Sequence, residues 1–104
     1  MEVTEPVLLI LLSLASQPRH GYAILRDTEE MSNGRVRLST GTLYGALRRL
    51  LHDGWIERFE NDDTSRGKQA YRLTSLGRRN LQTEVNRLQQ LTHAAALRIA
   101  RKGT

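Results

Sequence analysis

The chain of 104 residues has no cysteine, which excludes disulfide bonds, thiolate metal sites and cysteine nucleophiles and fits a reducing cytosol. Long apolar runs are also absent. The longest clear run, residues 7–12, is too short to span a bilayer, and no basic segment precedes it. We therefore expect one domain with no membrane partner and no signal peptide.

The polar residues show no pattern typical of catalysis or metal binding. The adjacent acids Glu29-Glu30 and Asp62-Asp63 would point apart in a helix or a strand. The three histidines lack the spacing of metal ligands. We therefore expect no enzymatic activity, no metal and no cofactor.

Basic residues are unevenly distributed along the chain, which carries 16 Lys and Arg, 11 Asp and Glu and a net charge of +5. Residues 1–34 hold only two of the basic residues, whereas residues 35–104 hold the other fourteen. Fourteen of the sixteen are arginine, whose planar fork suits phosphate and guanine. The distribution favours a polyanionic partner, with a solvated basic surface as the alternative.

Hydrophobic periodicity predicts four helices. They cover residues 4–17, residues 21–31, residues 39–53 with Ser39 as N-cap, and roughly 25 residues after the N-cap Thr74. In the second helix, Ile24, Leu25, Thr28 and Met31 share the expected buried side. Alternating patterns predict strands at residues 35–38, 55–60 and 69–73, the last two forming a hairpin, with Trp55 pointing into the core.

The third predicted helix has two contrasting faces. One face consists of Leu43, Leu47, Leu50 and Leu51. The opposite face carries small and cationic residues: Gly41, Gly45, Arg48, Arg49 and His52. A helix of this kind followed by a hairpin is typical of a winged helix-turn-helix. We therefore predict a mainly α fold with a small β-hairpin, in which residues 1–74 form the winged helix-turn-helix and residues 75–104 a C-terminal dimerisation helix, packed as one unit.

This architecture predicts an interface for double-stranded DNA. Free amides at the start of the third helix suit a phosphate, hydroxyls can bind phosphates, and arginines can bind guanine or neutralise phosphates. Cations at the hairpin tip would add sequence-independent attraction. The predicted DNA-binding residues are His20, Tyr22, Ser39, Thr40, Gly41, Thr42, Tyr44, Arg48, Arg49, Arg66 and Lys68. The alternatives are that Tyr44 packs on the hairpin, that His20 and Tyr22 only orient the second helix, and that the arginines are merely solvated.

The last helix has an apolar edge that its own domain is too small to cover. The apolar residues of this edge recur at steps of three and four, as in a coiled coil. The first helix is apolar almost all round, so it is either central to the core or covered by a partner. The predicted dimerisation residues are Leu8, Leu11, Leu81, Val85, Leu88, Leu91, Thr92, Ala95 and Ile99.

Five segments spread over most of the chain form a recognisable pattern: Pro18-Arg19-His20-Gly21-Tyr22-Ala23-Ile24, Leu38-Ser39-Thr40-Gly41-Thr42-Leu43-Tyr44, Leu47-Arg48-Arg49-Leu50, Asp53-Gly54-Trp55-Ile56 and Tyr71-Arg72-Leu73-Thr74. Together they resemble the PadR family of transcriptional regulators. The resemblance, which is to the short members with one C-terminal helix, implies a homodimer built on that helix with help from the first. It further implies a cytoplasmic, bacterial-type repressor, associated with the nucleoid when bound to a near-palindromic operator and released by a small aromatic or hydrophobic effector.

The chain departs from the family pattern at two places. Thr40 stands where members often have proline, which leaves one more amide donor. Asp62-Asp63 lies beside Arg66 and Lys68 and would repel phosphate at the hairpin tip. The rival interpretation is therefore a winged helix that binds another protein and does not read DNA. An RNA-binding module is disfavoured because the sequence lacks the expected aromatic platform.

Overall fold

The computed structural model describes residues 2–59 and 69–102, of which Lys102 is described by its backbone alone. The elements are α1 (Glu5–Ser16), β1 (Arg19–His20), α2 (Gly21–Met31), α3 (Thr40–His52), β2 (Ile56–Phe59), β3 (Ala70–Leu73) and α4 (Ser75–Lys102). The strands form one antiparallel sheet in the order β1-β3-β2. The four predicted helices and the two predicted hairpin strands are confirmed. No helix within the described ranges has both the length and the apolar character needed to cross a lipid bilayer.

Side-chain caps fix the starts of three helices. The hydroxyl oxygens of Thr4, Ser39 and Thr74 each accept a hydrogen bond from the backbone N–H three residues later, at 3.4, 3.1 and 3.0 Å. These bonds satisfy N–H groups that a helix cannot pair internally. At the other end of α3, Gly54 adopts φ +77°, a left-handed conformation that favours glycine and ends the helix.

The strand predicted at residues 35–38 is wrong, and the third strand of the sheet is β1 instead. Residues 35–38 have no strand beside them, because Arg19 lies opposite Tyr71 and so occupies the free edge of β3. The backbone N–H of Val36 donates to the Ser32 hydroxyl at 3.0 Å, and that hydroxyl lies 3.3 Å from the Val36 carbonyl. The alternating pattern therefore reflected half-buried Val36 and Leu38 in an irregular loop.

One hydrophobic cluster joins the helices to one face of the sheet. Its buried members are Val7, Ile10, Leu11, Leu14, Ile24, Leu43, Leu47, Leu50, Ile56, Tyr71, Leu73 and Leu81. The leucine face of α3 is confirmed, since Leu43, Leu47 and Leu50 are almost fully buried and Leu51 is half-buried. Trp55 is half-buried against the same cluster just before β2. Met31, expected on the buried side of α2, is exposed because it lies in the last turn of the helix.

Helix α4 leaves the core after its first turns. Leu81 is buried, Val85 and Leu88 are half-buried, and Leu91 and Ile99 are 54 % and 73 % exposed. With 28 residues the helix is about 42 Å long, whereas the narrower dimensions of the molecule are 28 and 21 Å. The second half of α4 therefore projects beyond the domain.

An ion pair ties the loop before α3 to the start of α1. The Arg35 guanidinium donates to both carboxylate oxygens of Glu5, with one Nη1–Oε1 distance of 3.0 Å. These hydrogen bonds hold the pKa of Glu5 below its usual range, and the positive charge of Arg35 lowers it further. The pair joins two segments that are 30 residues apart in sequence.

Replacing Gly77 with alanine tests the packing of α4 on the domain. A Cβ at this position would lie 1.9 Å from the Trp55 carbonyl oxygen, which is backbone and cannot rotate away. Helix propensity alone would favour alanine by about 1 kcal/mol. We expect G77A instead to lower the free energy of unfolding by about 1–3 kcal/mol in a denaturant titration. A control, Q90A on the exposed side of α4, should unfold within about 0.5 kcal/mol of wild type. A G77A protein as stable as wild type would contradict the close contact.

Replacing Glu5 with glutamine tests the tether to Arg35. Because the pKa of Glu5 is lowered in the folded protein, its contribution to stability is present above the unfolded pKa. That contribution is lost as pH falls through the lowered folded pKa. We expect E5Q to be less stable than wild type near pH 7 and the difference to shrink at acid pH, measured by denaturant titrations across this range. A difference that does not change with pH would contradict an ionised Glu5–Arg35 pair.

Candidate nucleic-acid interface

The first turn of α3 presents polar groups to solvent. Ser39, Thr40, Gly41 and Thr42 are all exposed. The Ser39 hydroxyl caps the Thr42 N–H at 3.1 Å and lies 2.9 Å from the Thr42 hydroxyl. Helix geometry leaves the N–H groups of Thr40 and Gly41 without an intrahelical acceptor. This turn can therefore accept a phosphate at the positive end of the helix dipole.

The outer face of α3 is small, cationic and open. Arg48 and Arg49 are exposed, and neither forms an ion pair with any residue in the described ranges. A Cβ built on Gly41 or Gly45 would meet no heavy atom closer than 4.0 Å. Packing within the chain therefore does not require glycine at either position. A glycine face without internal packing is suited to close approach by an external surface.

A groove separates this face of α3 from the start of α1. Gly41, Thr42, Gly45 and Arg49 lie on its α3 side, and residues 2–7 contribute its other side. Residues 2–7 are not among the predicted DNA-binding residues. No local pattern could have indicated it, because the two sides of the groove are about 40 residues apart in sequence.

Tyr44 connects α3 to the start of α2. Its hydroxyl lies where a side chain at position 21 would begin, since a Cβ on Gly21 would be 2.3 Å from that oxygen. Two of the five segments that carry the family resemblance, residues 18–24 and 38–44, thus meet at this contact. Tyr44 remains 40 % exposed, so packing against Gly21 leaves part of its ring on the surface. The structure shows the packing, and a contact between Tyr44 and DNA stays a prediction.

His20 and Tyr22 flank this contact and differ in exposure. His20 is half-buried in β1, opposite Ala70, and its Nδ1 atom is buried without a hydrogen-bond partner among the described residues. Tyr22 is 69 % exposed, with the Arg26 guanidinium 5.9 Å from the centre of its ring. Tyr22 is therefore available to an external partner, whereas His20 lies mainly within the domain.

The hairpin formed by β2 and β3 is the wing of the fold. Arg66, Lys68 and the acidic pair Asp62-Asp63 lie outside the described residues. On the outer face of the wing, Arg72 donates to Glu57 at 2.7 Å and lies 4.9 Å from the ring centre of Phe59.

The other face of the wing carries Arg58, which lies opposite Tyr71. Arg58 is not among the predicted DNA-binding residues. Strand alternation in residues 55–60 could have placed it on the same face as Ile56. Burial is the main cause that raises the pKa of Tyr71, the nearby Tyr44 raises it further, and the positive charge of Arg58 opposes both.

The expected dimerisation residues differ in burial and fall into three groups. Leu11 and Leu81 are buried in the core of the single chain, so they are not available to a partner. Leu8 is half-buried on α1, which packs against α4. The remaining residues lie along α4 with partial or full exposure: Val85, Leu88, Leu91, Thr92, Ala95 and Ile99.

Within residues 2–59 and 69–102, no group of three or more His, Asp or Glu could hold a metal ion.

Comparisons with known proteins give the chain its family. Residues 10–83 match the model of the transcriptional regulator PadR-like family. Transcriptional regulator Rv3488 of Mycobacterium tuberculosis is 34 % identical over 82 residues, which are 79 % of this chain and 74 % of that protein. An uncharacterized 37.1 kDa protein in transposon TN4556 of Streptomyces fradiae is 36 % identical over 92 residues. These are 88 % of this chain, which spans only 25 % of that relative.

Solved structures share the fold. A PadR family transcription regulator from Clostridium difficile R20291 has a TM-score of 0.74 at 22 % identity, covering 88 % of this chain and 94 % of that one. Bacillus subtilis PadR in complex with operator DNA has a TM-score of 0.65 at 23 % identity, covering 75 % of this chain and 45 % of that one.

The predicted fold class is thereby confirmed as a winged helix-turn-helix with a long C-terminal helix. The family is one of transcriptional regulators and not of enzymes, which agrees with the prediction that the chain has no catalytic activity. The match to the family model covers most of the chain, so the chain belongs to the PadR-like family of transcriptional regulators.

Proposed function

We propose that this protein binds double-stranded DNA sequence-specifically as a homodimer and represses transcription from a near-palindromic operator. The observation that carries the proposal is the outer face of α3, where Arg48 and Arg49 are exposed beside Gly41 and Gly45, at which a Cβ would meet no atom closer than 4.0 Å. An α-helix fits the major groove of B-DNA, and arginine can bind the O6 and N7 atoms of guanine. The operator complex of Bacillus subtilis PadR, which has the same fold, supports this proposal.

The surroundings of α3 supply contacts to the DNA backbone. In our proposal a phosphate binds the free amides of Thr40 and Gly41, and the hydroxyls of Thr42 and Tyr44 bind the same strand. Tyr22 is exposed just after Gly21, where the start of α2 meets Tyr44. Such contacts position the helix, whereas base contacts by arginine select the sequence.

The apolar edge that the single chain leaves exposed on α4 supports a homodimer. Leu91 and Ile99 are more than half exposed, and half-buried Val85 and Leu88 lead into the same apolar edge. A second copy of α4 would cover this edge, with Leu8 of α1 nearby. Two-fold symmetry would place two α3 helices about one turn of DNA apart, roughly 34 Å, or a multiple of it. A small aromatic or hydrophobic effector bound between the apolar helices would release the operator.

Substituting the arginines of α3 tests the DNA interface. The probe is a duplex that the wild-type protein enriches from a random-sequence pool, with a shuffled duplex for comparison. We expect R48A or R49A to weaken binding to the enriched duplex by roughly tenfold or more, since a lost arginine–guanine contact costs about 1–3 kcal/mol. The control is R87A, an exposed arginine of α4 paired with Glu84, which should bind like wild type. Fluorescence anisotropy at several salt concentrations measures both effects.

Two results would contradict this assignment. If R48A and R49A both bind as tightly as wild type, α3 does not present these arginines to DNA. If the wild-type protein enriches no sequence from the pool, the function is not sequence-specific DNA binding, and the alternative of a winged-helix module that binds protein gains support.

A charge placed on the apolar edge of α4 tests the dimer. We expect L91E to convert a dimer into a monomer, because burying an unpaired carboxylate in an apolar interface is strongly unfavourable. The matched control Q90E adds the same charge at the neighbouring exposed position, which lies about 100° further round the helix and roughly opposite Leu88 and Ile99 of the apolar edge. Sedimentation velocity gives the mass of each variant. A monomeric wild type, or a dimer that L91E leaves intact, would contradict the α4 interface.

A further inference from the structure

We propose that Arg58, at the base of the wing, is a DNA-backbone contact that lies beside α3 and does not depend on the tip of the wing. The inference rests on the proposed DNA binding and adds to it a residue outside α3. Three observations support it: the face of the sheet on which Arg58 lies, its position opposite Tyr71, and the lack of an ion pair with any residue in the ranges 2–59 and 69–102.

The sheet register places Arg58 on the α3 side of the wing. Arg58 lies opposite Tyr71, and Ile56 lies opposite Leu73. Directly opposite residues of an antiparallel pair share one face of the sheet, and this face is the one that enters the core. Helix α3 packs against β2. Arg58 lies two residues beyond buried Ile56, about 7 Å along the strand, where this face reaches solvent.

Tyr71 links Arg58 to the exposed flank of α3. Arg58 lies opposite Tyr71 in the sheet, and the side chains of Tyr44 and Arg58 both act electrostatically on Tyr71. The Tyr44 hydroxyl is fixed against Gly21 at the start of α2. Arg48 follows Tyr44 by four residues on α3, which puts the two side chains on neighbouring turns of one side of the helix. Tyr44 therefore shares one side of α3 with Arg48 and acts electrostatically on Tyr71, the residue opposite Arg58 in the sheet.

The sheet contains three arginines, and Arg58 is the one without an acidic partner in residues 2–59 and 69–102. Arg72 is paired with Glu57 on the outer face of the wing, and Arg19 is held by the Ser13 carbonyl at 2.8 Å and by Asp27 at 3.7 Å. Arg58 is exposed and forms no ion pair with any residue in the ranges 2–59 and 69–102. A single exposed guanidinium beside a groove-binding helix can pair with a phosphate, which is a contact without sequence information.

The experiment compares R58A, R58K and the matched control R72A, which removes an arginine from the opposite face of the same hairpin. Binding is measured by fluorescence anisotropy from low to physiological salt, on the duplex enriched by wild type and on the shuffled duplex. We expect R58A to weaken binding to both duplexes by a similar factor, roughly tenfold. The slope of log affinity against log salt should fall by about one. R58K should restore most of the slope because it keeps the charge, and R72A should match wild type. Circular dichroism during thermal unfolding verifies that each variant is folded.

The outcomes separate this inference from the proposed function. If wild type binds the enriched duplex and R58A binds with the same affinity and salt slope, Arg58 does not contact DNA, while the α3 interface stands. If R58A loses affinity for the enriched duplex alone, Arg58 reads bases and the backbone assignment is overturned. If wild type enriches no duplex, the proposed function fails, and this inference fails with it.

Discussion

The burial of one face of α3 is the constraint on which the candidate interface depends. Leu43, Leu47 and Leu50 enter the same core cluster as Ile10 of α1 and Ile56 of β2. Burying each of these side chains stabilises the fold by about 1.5–3 kcal/mol, far more than an exposed arginine contributes through surface pairs. Once the leucines are fixed, the 100° step of the helix leaves the glycines and arginines of α3 no position except the surface.

Contacts distant in sequence then fix the orientation of this helix. Tyr44 meets Gly21 at the start of α2, and Arg35 joins the loop before α3 to Glu5 of α1. The Glu5–Arg35 pair is exposed, so it contributes little to the free energy of unfolding. Its main effect is to hold the loop before α3 near α1. Tyr71 of the central strand β3 packs in the same core cluster as the leucines of α3. Residues of α1, α2 and the wing thus lie next to α3.

Predictions from local patterns succeeded where a residue's environment depends on nearby sequence. The N-caps Ser39 and Thr74 and the leucine face of α3 were predicted and confirmed. The strand at residues 35–38 failed because alternation reports burial and cannot report which segment occupies the free edge of β3. Arg58 was missed for a related reason, since its importance comes from Tyr71 across the sheet and from α3.

The sequence by itself determined the helices, their amphipathic faces and the family, because periodicity, capping residues and motifs each depend on residues that are close together in the sequence. Only the tertiary structure decided which surfaces stay available. It placed Leu11 and Leu81 inside the core and left Leu91 and Ile99 exposed, although all four look alike in the sequence. It also brought residues 2–7 beside α3. Burial depends on which segments pack together across the chain, and side-chain type and spacing do not encode that directly.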